Sequence, residues 1–458
     1  MSQTNSVTNF SEKNFGVLTD SPDFLERCTQ LCQEFSYSLE SWDNVESFLS
    51  SKPQSKFIIA CITQGPKGPL PAAEVAQSVR FTTQDAFLIC VISNSFGKMG
   101  KEEAVFAKKS GADLIILEDE AFNTGKLEFI TTQILRSKFI PIKTTDLVAG
   151  RPIPFDLYHL MPQRRKFLKI VFNGDILEDS KIKKAVDVGE FYFDRENGDE
   201  FNRYTLENTD RSAAGIRKRC RSQFLALFSG FSKLVFQLTD QSQHSSYTEG
   251  QTLLTQCTNL CSSLLGTLAE SGKAWDVINN SAIGDMGSVE RAPSIAAYAG
   301  VFGLQLGLKS TDQMMLAALL SDLGLLFLTP EILKKIRENR NSEFSADELT
   351  LYETYPHKTL DVCLNRKLSI PEKLRQLLLS TQQRADGKGF PKGSAADRIT
   401  VESQLISFSR EFDRETLLQM GKARVEPQAV FKEMIQREKN PTGRYSPLFI
   451  QQLRKACK

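Results

Sequence analysis

Between residues 14 and 140, apolar strand-like runs alternate five times with amphipathic helical stretches, and this alternation restricts the fold more than any other feature of the chain. "FGVLTD" (15–20), "YSLESW" (37–42), "KFIIACIT" (56–63), "AFLICVISNS" (86–95) and "DLIILEDE" (113–120) are the strand segments. The third is apolar almost without interruption. That is the composition of a strand covered on both faces, as in a parallel sheet with helices above and below. "SPDFLERCTQLCQEF", "NVESFLSS", "AAEVAQSVRF", "KEEAVFAKKSGA" and "KLEFITTQIL" supply those helices, with Ser21 or Asp23 near the first cap. The pattern implies a doubly wound α/β domain over residues 14–140.

Residues 141–238 change character. "RKFLKIVFNGDIL" reads as a hairpin turning at Asn173 and Gly174, and "GEFYFDRENGDEFNRYTL" as a second one. A small β-rich α+β middle domain is expected, closed by a helix within "GIRKRCRSQFLALFSGFSKLVFQL". The basic cluster Arg217, Lys218, Arg219 and Arg221 on that helix reads as a solvated face, with a phosphate contact as the alternative. "TDQSQHSSYTEGQT" (239–252) reads as a linker or exposed turn. From residue 253 the apolar spacing is helical, so residues 250–458 are expected to form an all-α bundle.

A chain of 458 residues has room for about three such domains. Its 57 basic and 55 acidic residues nearly balance, which gives no general nucleic-acid or membrane surface. The start, "MSQTNSVTNFSEKN", is too polar for a signal peptide, and "MMLAALLSDLGLLFL" (314–328) carries Asp322 in its middle. A cytoplasmic protein without membrane insertion is expected. The nine cysteines follow no metal-type pattern; Cys28 with Cys32, and Cys257 with Cys261, share helix faces and read as buried, reduced thiols. Only three histidines occur, His159, His244 and His357, too few and too scattered for a histidine-rich metal centre.

The first segment resembles a response-regulator receiver domain, above all in "KKSGADLIIL". The resemblance implies a carboxylate pair after the first strand, a phosphoacceptor aspartate on the third, then a hydroxyl and a lysine. Here Asp20 keeps one carboxylate, Cys61 stands at the acceptor position, Ser93 keeps the hydroxyl, and the lysine position falls near Leu117 and Glu118. A thiol without that lysine is not expected to be phosphorylated by the usual route. The domain is expected to serve in docking.

The last segment resembles the HD-GYP family of cyclic di-GMP phosphodiesterases, through several stretches in the family's order. "AALLSDLGLLFLTPEIL" (317–333) is similar to the His-Asp signature region, "TYPHKTLDVCL" (354–364) to the His-Pro segment, and "RADGKGFPKG" (384–393) to the Asp-Gly-x-Gly-Tyr-Pro loop. "ITVESQLISFSREFD" (399–413) fits the helix of the late metal aspartate, and "TGRYSPLFIQQL" (442–453) the closing helix. The resemblance implies two or three metal ions that activate a water and clamp phosphate oxygens. The ligands have gone. The first histidine falls at or beside Arg291, the signature histidine at Ser321 and the late aspartate at Arg410, while only Asp322 persists. Leu325, Tyr355, Thr381, Gln382 and Gln383 occupy other family positions, and His357 lies roughly 200° around its helix from Tyr355. Arg410 is expected to lie near Asp322 and fill the vacated centre. No metal and no cofactor are expected.

Three functions compete. The first is a non-catalytic signalling protein that recognises partners, such as a diguanylate cyclase domain, through the loop Arg384, Asp386, Gly387, Lys388, Gly389, Phe390 and Pro391. On that reading Phe390 is reachable from solvent. The competing explanation of the loop is that its glycines satisfy turn geometry. The second function is a sensor binding cyclic di-GMP without cleavage, with Arg291, Arg384 and Arg410 as phosphate ligands. The third is a residual phosphodiesterase.

Overall fold

The computed structural model describes residues 14–63, 70–84, 86–94, 100–135, 138–161, 166–186, 191–241, 247–271, 278, 289–391, 399–416, 425–438 and 443–457. The first segment is a five-stranded parallel sheet of β1 (Asn14–Thr19), β2 (Ser38–Trp42), β3 (Phe57–Cys61), β4 (Phe87–Ile92) and β5 (Leu114–Leu117) in the order 2-1-3-4-5. Helices α1 (Pro22–Phe35), α2 (Val45–Ser50), α3 (Ala72–Thr82), α4 (Gly100–Lys109), α5 (Glu118–Asn123) and α6 (Lys126–Leu135) connect and follow the strands. Ser21 caps α1 by accepting the Phe24 amide, and Pro22 begins the first turn, where its missing N–H costs nothing.

Strand alternation divides the sheet's side chains between two cores. Leu18, Ile58, Ala60, Leu88 and Cys90 point to one face and pack with Val75, Val79 and Ala107 of α3 and α4. Val17, Ile59, Cys61, Ile89 and Val91 point to the other, and that core runs on without a break through the rest of the chain to Leu453. One face therefore belongs to the α/β domain alone. The other is common ground.

The middle segment is a four-stranded sheet in the order β6-β9-β7-β8, made of β6 (Phe139–Ile142), β7 (Leu157–Met161), β8 (Lys166–Val171) and β9 (Phe191–Asp194), with α7 (Asp179–Val186) between the last two. Two sequence expectations need correction. The turn at Asn173 and Gly174 exists, but β8 pairs backwards with β7, and beyond the turn only Ile176 bridges, to Pro152. "FYFD" is a strand, but the following "NGDEFNRYTL" is no second strand. It forms α8 (Gly198–Asn208), because Phe201, Tyr204 and Thr205 repeat at helical spacing and bury one face.

The long α9 (Ala213–Thr239) packs against α8 on one side and against α10 (Tyr247–Glu270) on the other. Its basic cluster is largely engaged internally: Lys218 reaches the Thr145 carbonyl, Arg219 bonds Thr209, and Arg221 pairs with Asp146 at 2.6 Å. The stretch after α9 is no free linker where it is described. Asp240 is buried, accepts from Lys108 and the Ile115 amide, and its carbonyl takes a bond from Arg366.

Helices α11 (Ala292–Gln305), α12 (Thr311–Leu320), α13 (Pro330–Arg337), α14 (Ala346–Glu353), α15 (Tyr355–Asn365), α16 (Glu372–Ser380), α17 (Val401–Thr416), α18 (Pro427–Arg437) and α19 (Pro447–Ala456) build the last segment. A 3-10 turn, Leu323–Phe327, separates α12 from α13. The α/β domain is fastened to that turn: the Gly125 amide donates to the carbonyls of Leu326 and Leu328, both at 3.1 Å. A Cβ at Gly125 would come within 2.0 Å of the tip of the Leu333 side chain, which would have to swing aside to admit one. Beside it Lys126, almost fully buried, pairs with Glu120 and lies 4.4 Å from the Phe327 ring. Arg337 reaches back from α13 to Glu128 and Glu34. The cysteines are all free and, except for half-buried Cys457, buried. No helix among the described residues is long and apolar enough to cross a membrane.

Arg337→Gln removes the cation facing Glu128, whose carboxyl burial already pushes above its ordinary range. It should cost about 3 kcal/mol, read as a lowered urea midpoint, because a buried carboxylate is left unpaired.

Candidate functional site

Ser321 and Asp322 sit where α12 gives way to the 3-10 turn, and both are buried. Thr359 of α15 fixes this junction, donating to the Ser321 carbonyl and accepting from the Gly324 amide at 2.8 Å. A carboxylate at such depth must meet a cation or lose its charge. The cation is Arg410, midway along α17. Its Nη2 donates to Asp322 Oδ1 and Ser321 Oγ, each at 2.7 Å, and its Nε to Asp322 Oδ2 at 3.2 Å. Arg410 thus lies where the sequence reading expected it, gripping both carboxylate oxygens. Burial alone would pull its pKa down, but Asp322, with help from Tyr355, outweighs this and holds the guanidinium charged beyond its ordinary range.

A second pair crosses the same helix face. Arg291, just before α11, holds Asp413 of α17 through Nε at 2.7 Å and Nη2 at 2.5 Å. Sequence reasoning missed Asp413, although a signal was there: three residues past Arg410, it shares that helix's inner face. An arginine at Arg291 needed a carboxylate opposite. Also missed was Glu411, which gathers Arg437, Arg444 and the Tyr445 hydroxyl.

Tyr355 fills the next family position with a fully buried ring, its hydroxyl accepting from Gln382 Nε2 at 2.5 Å. Thr381 and Leu325 are buried nearby, and His357 faces solvent. The pocket therefore offers a neutralised carboxylate, a serine, a phenol, amides and a guanidinium. This set does not suit a multinuclear metal centre, which needs several anionic or imidazole ligands free of competing cations. Among the described residues no group of three histidines, cysteines or carboxylates is placed to hold a metal.

The loop that follows corrects an expectation. Phe390 is only 8% exposed and packs edge-on against Tyr352 and Tyr355, with ring centroids 5.3 and 5.9 Å away. It is core, not a reachable anchor. Its amide bonds the Gln382 carbonyl, and a Cβ at Gly389 would come within 2.3 Å of that same oxygen. Gly387 has φ +72°, in the region that favours glycine. Turn geometry thus accounts for both glycines. Arg384 is bound to Asp386, whose carboxyl burial would raise but the Arg384 and Lys388 contacts lower. Within the loop only Gly387 and Lys388 are exposed, and Lys392 and Gly393 lie outside the described residues. The three arginines read as phosphate ligands, Arg291, Arg384 and Arg410, each hold a carboxylate of this chain.

At the carboxyl ends of β1, β3 and β4 lie Asp20, Cys61 and Ser93. Asp20 accepts from the amide and hydroxyl of Thr63, and Thr19 donates to the Cys61 carbonyl at 2.7 Å. Ser93 donates to Glu118 at 2.9 Å, so a glutamate occupies the corner where a lysine was sought. Cys61 is fully buried, and burial, reinforced by Glu118 and Asp20, drives its thiol far above its ordinary pKa. The thiol is inert as a nucleophile.

Residues 277–444 match the profile of the HD domain family. Among solved structures, the chain is similar to Bd1817, described as an HDG"Y"P protein, from Bdellovibrio bacteriovorus, at 15% identity; the match covers 70% of this chain and 99% of that one, with a TM-score of 0.43. No curated protein matches.

Two substitutions test the packing. Phe390→Ala should cost about 3–5 kcal/mol, since it opens a cavity under the loop. Arg410→Met should cost a similar amount, about 3–5 kcal/mol, by leaving Asp322 buried without its cation. Adding Asp322→Leu to Arg410→Met should restore most of that loss in denaturant titration, because the uncompensated charge then disappears.

Proposed function

We propose that this chain is a signalling protein in a cyclic di-GMP-related or two-component setting, whose HD domain at residues 277–444 recognises a partner and does not hydrolyse a phosphodiester. The observation that carries this reading is the Arg410 clasp on Asp322 and Ser321. Hydrolysis in the family resembled here needs that carboxylate to hold a metal ion. A guanidinium on both its oxygens competes for the same lone pairs and repels an incoming cation. The receiver-like end supports the same reading. Asp20 and Glu118 bracket a buried thiol with negative charge, which opposes a phosphoryl group. On this proposal both domains keep a signalling architecture and use it for docking. The partner is a signalling protein, a diguanylate cyclase domain being the class implied by the family resemblance. With Phe390 buried, its surface contact must run through exposed side chains such as Lys388.

A second reading, a sensor that binds cyclic di-GMP without cleavage, draws on one observation. Arg410 Nη1 and Arg444 Nε are buried without a hydrogen-bond partner, leaving two cationic N–H groups for phosphate oxygens.

The purified full-length protein is expected to carry no stoichiometric iron, manganese or zinc, and to leave cyclic di-GMP intact after reloading with each metal. Bound metal together with turnover abolished by Asp322→Ala would overturn the proposal. Calorimetric titration with cyclic di-GMP separates the readings: saturable binding weakened by Arg444→Gln selects the sensor. Treatment with acetyl phosphate or beryllofluoride should leave the spectrum and mass of the receiver-like domain unchanged.

A further inference from the structure

A cavity of about 650 Å³ opens between the amino-terminal edge of the parallel sheet and the antiparallel sheet of the middle segment. It lies at the opposite end of the strands from Asp20, Cys61 and Ser93, and away from the HD domain pocket. Its size suits a small organic ligand, and junctions between domains are favoured places for one.

Arg195 in its wall stands out. The residue is 5% exposed, and its Nη1 is fixed by the backbone and side-chain oxygens of Gln133 at 2.9 and 2.6 Å. Its guanidinium lies 5.9 Å from the Phe236 ring. Among the described residues no carboxylate makes an ion pair with it and its Nε and Nη2 make no hydrogen bond; Asp194 and Glu196 act on it only from longer range and offset its burial in part. Every other deeply buried arginine discussed above has its own acid. Burial lowers the Arg195 pKa to about 10, so the group is still charged at neutral pH. A buried cation whose acids stay outside ion-pair distance is costly unless something else supplies a direct partner.

The surroundings narrow the ligand. Lys56, exposed at the rim, has no acidic partner among the described residues, while two acids of the wall are occupied: Asp113 by Arg80 at 2.5 Å and the Leu88 amide, Asp194 by the Glu196 amide and, at 3.9 Å, Lys138. Glu196 is exposed at the rim, where solvent screens it. The apolar part of the wall is aromatic. Phe139 and Phe167 stack with centroids 4.2 Å apart, and half-buried Phe87 faces the same space.

We propose that this cavity binds a small organic anion with a flat apolar ring, its charged oxygens on Arg195 and Lys56 and its ring against Phe87, Phe139 and Phe167. The oxygens give Arg195 a direct partner through charge-assisted bonds, and the ring replaces water on the aromatic wall. Such a ligand would join the two sheets and is independent of the HD domain reading.

The test is calorimetric titration of the full-length protein with 2-naphthoate, 2-naphthalenemethanol and 2-naphthylmethylamine. The expected result is one naphthoate site, at least about tenfold tighter than either analogue, and a loss of about tenfold in Arg195→Gln. Circular dichroism checks that variant's fold. If Arg195→Gln does not fold, Lys56→Gln at the exposed rim and Phe167→Leu carry the test, each expected to weaken naphthoate. No binding at millimolar naphthoate, equal binding of the alcohol, or undiminished affinity in the folded variants would overturn the proposal.

Discussion

Asp322 is a carboxylate 3% exposed at the junction of two helical elements, and the helical segment is organised around the need to neutralise it. Arg410 answers that need from α17, and in doing so sets which face of α17 turns inward. Asp413, three residues on, is then aimed at Arg291, so one helix carries an inward cation and an inward anion to two separate partners. Pairs of this kind seldom add stability over a well-packed apolar core, but losing one partner is expensive. Their effect is to fix register: α17 cannot rotate or slide without separating both.

The α/β domain also holds carboxylates in place, but with neutral donors where the helical segment uses a cation. Its sheet order opens a crevice at the carboxyl ends of β1 and β3, where doubly wound folds place their ligands. Here the crevice holds Asp20 and, from the start of α5, Glu118, each satisfied by a hydroxyl and an amide at a neighbouring strand end. Internal hydrogen bonds use the lone pairs that a metal would need. At both ends of the molecule, buried or half-buried carboxylates are held by donors of the chain itself.

What the sequence disclosed depended on the range of the interaction. Alternating apolar runs and helical spacing are local, so the parallel sheet and the helical bundle were legible, as was the partnership of Arg410 with Asp322. The error at 198–208 arose because "NGDE" is both a turn signal and a good helix start, and only the burial of Phe201 and Tyr204 decides between them. Phe390 was misjudged because an aromatic between glycine and proline reads as a surface turn. Its burial comes from Tyr352 and Tyr355, far off in sequence. Arg195 gave no signal. Its isolation is the absence of a partner, which becomes visible only when all neighbours are placed.

The bond from Gly125 to the carbonyls of Leu326 and Leu328 bears on how such a chain arises. Signalling proteins are commonly assembled by exchanging modules across linkers, which works when the joined surfaces are indifferent to one another. Here the first module is hydrogen-bonded into the five-residue turn that starts beside Asp322, with Leu333 packed closely against the glycine that makes the bonds. The module and the turn are joined through backbone groups, which no side-chain substitution alone can release. A foreign α/β domain spliced onto this helical segment would need a backbone N–H presented at that spacing from its last helix, to meet the two carbonyls, before the two halves could seat together.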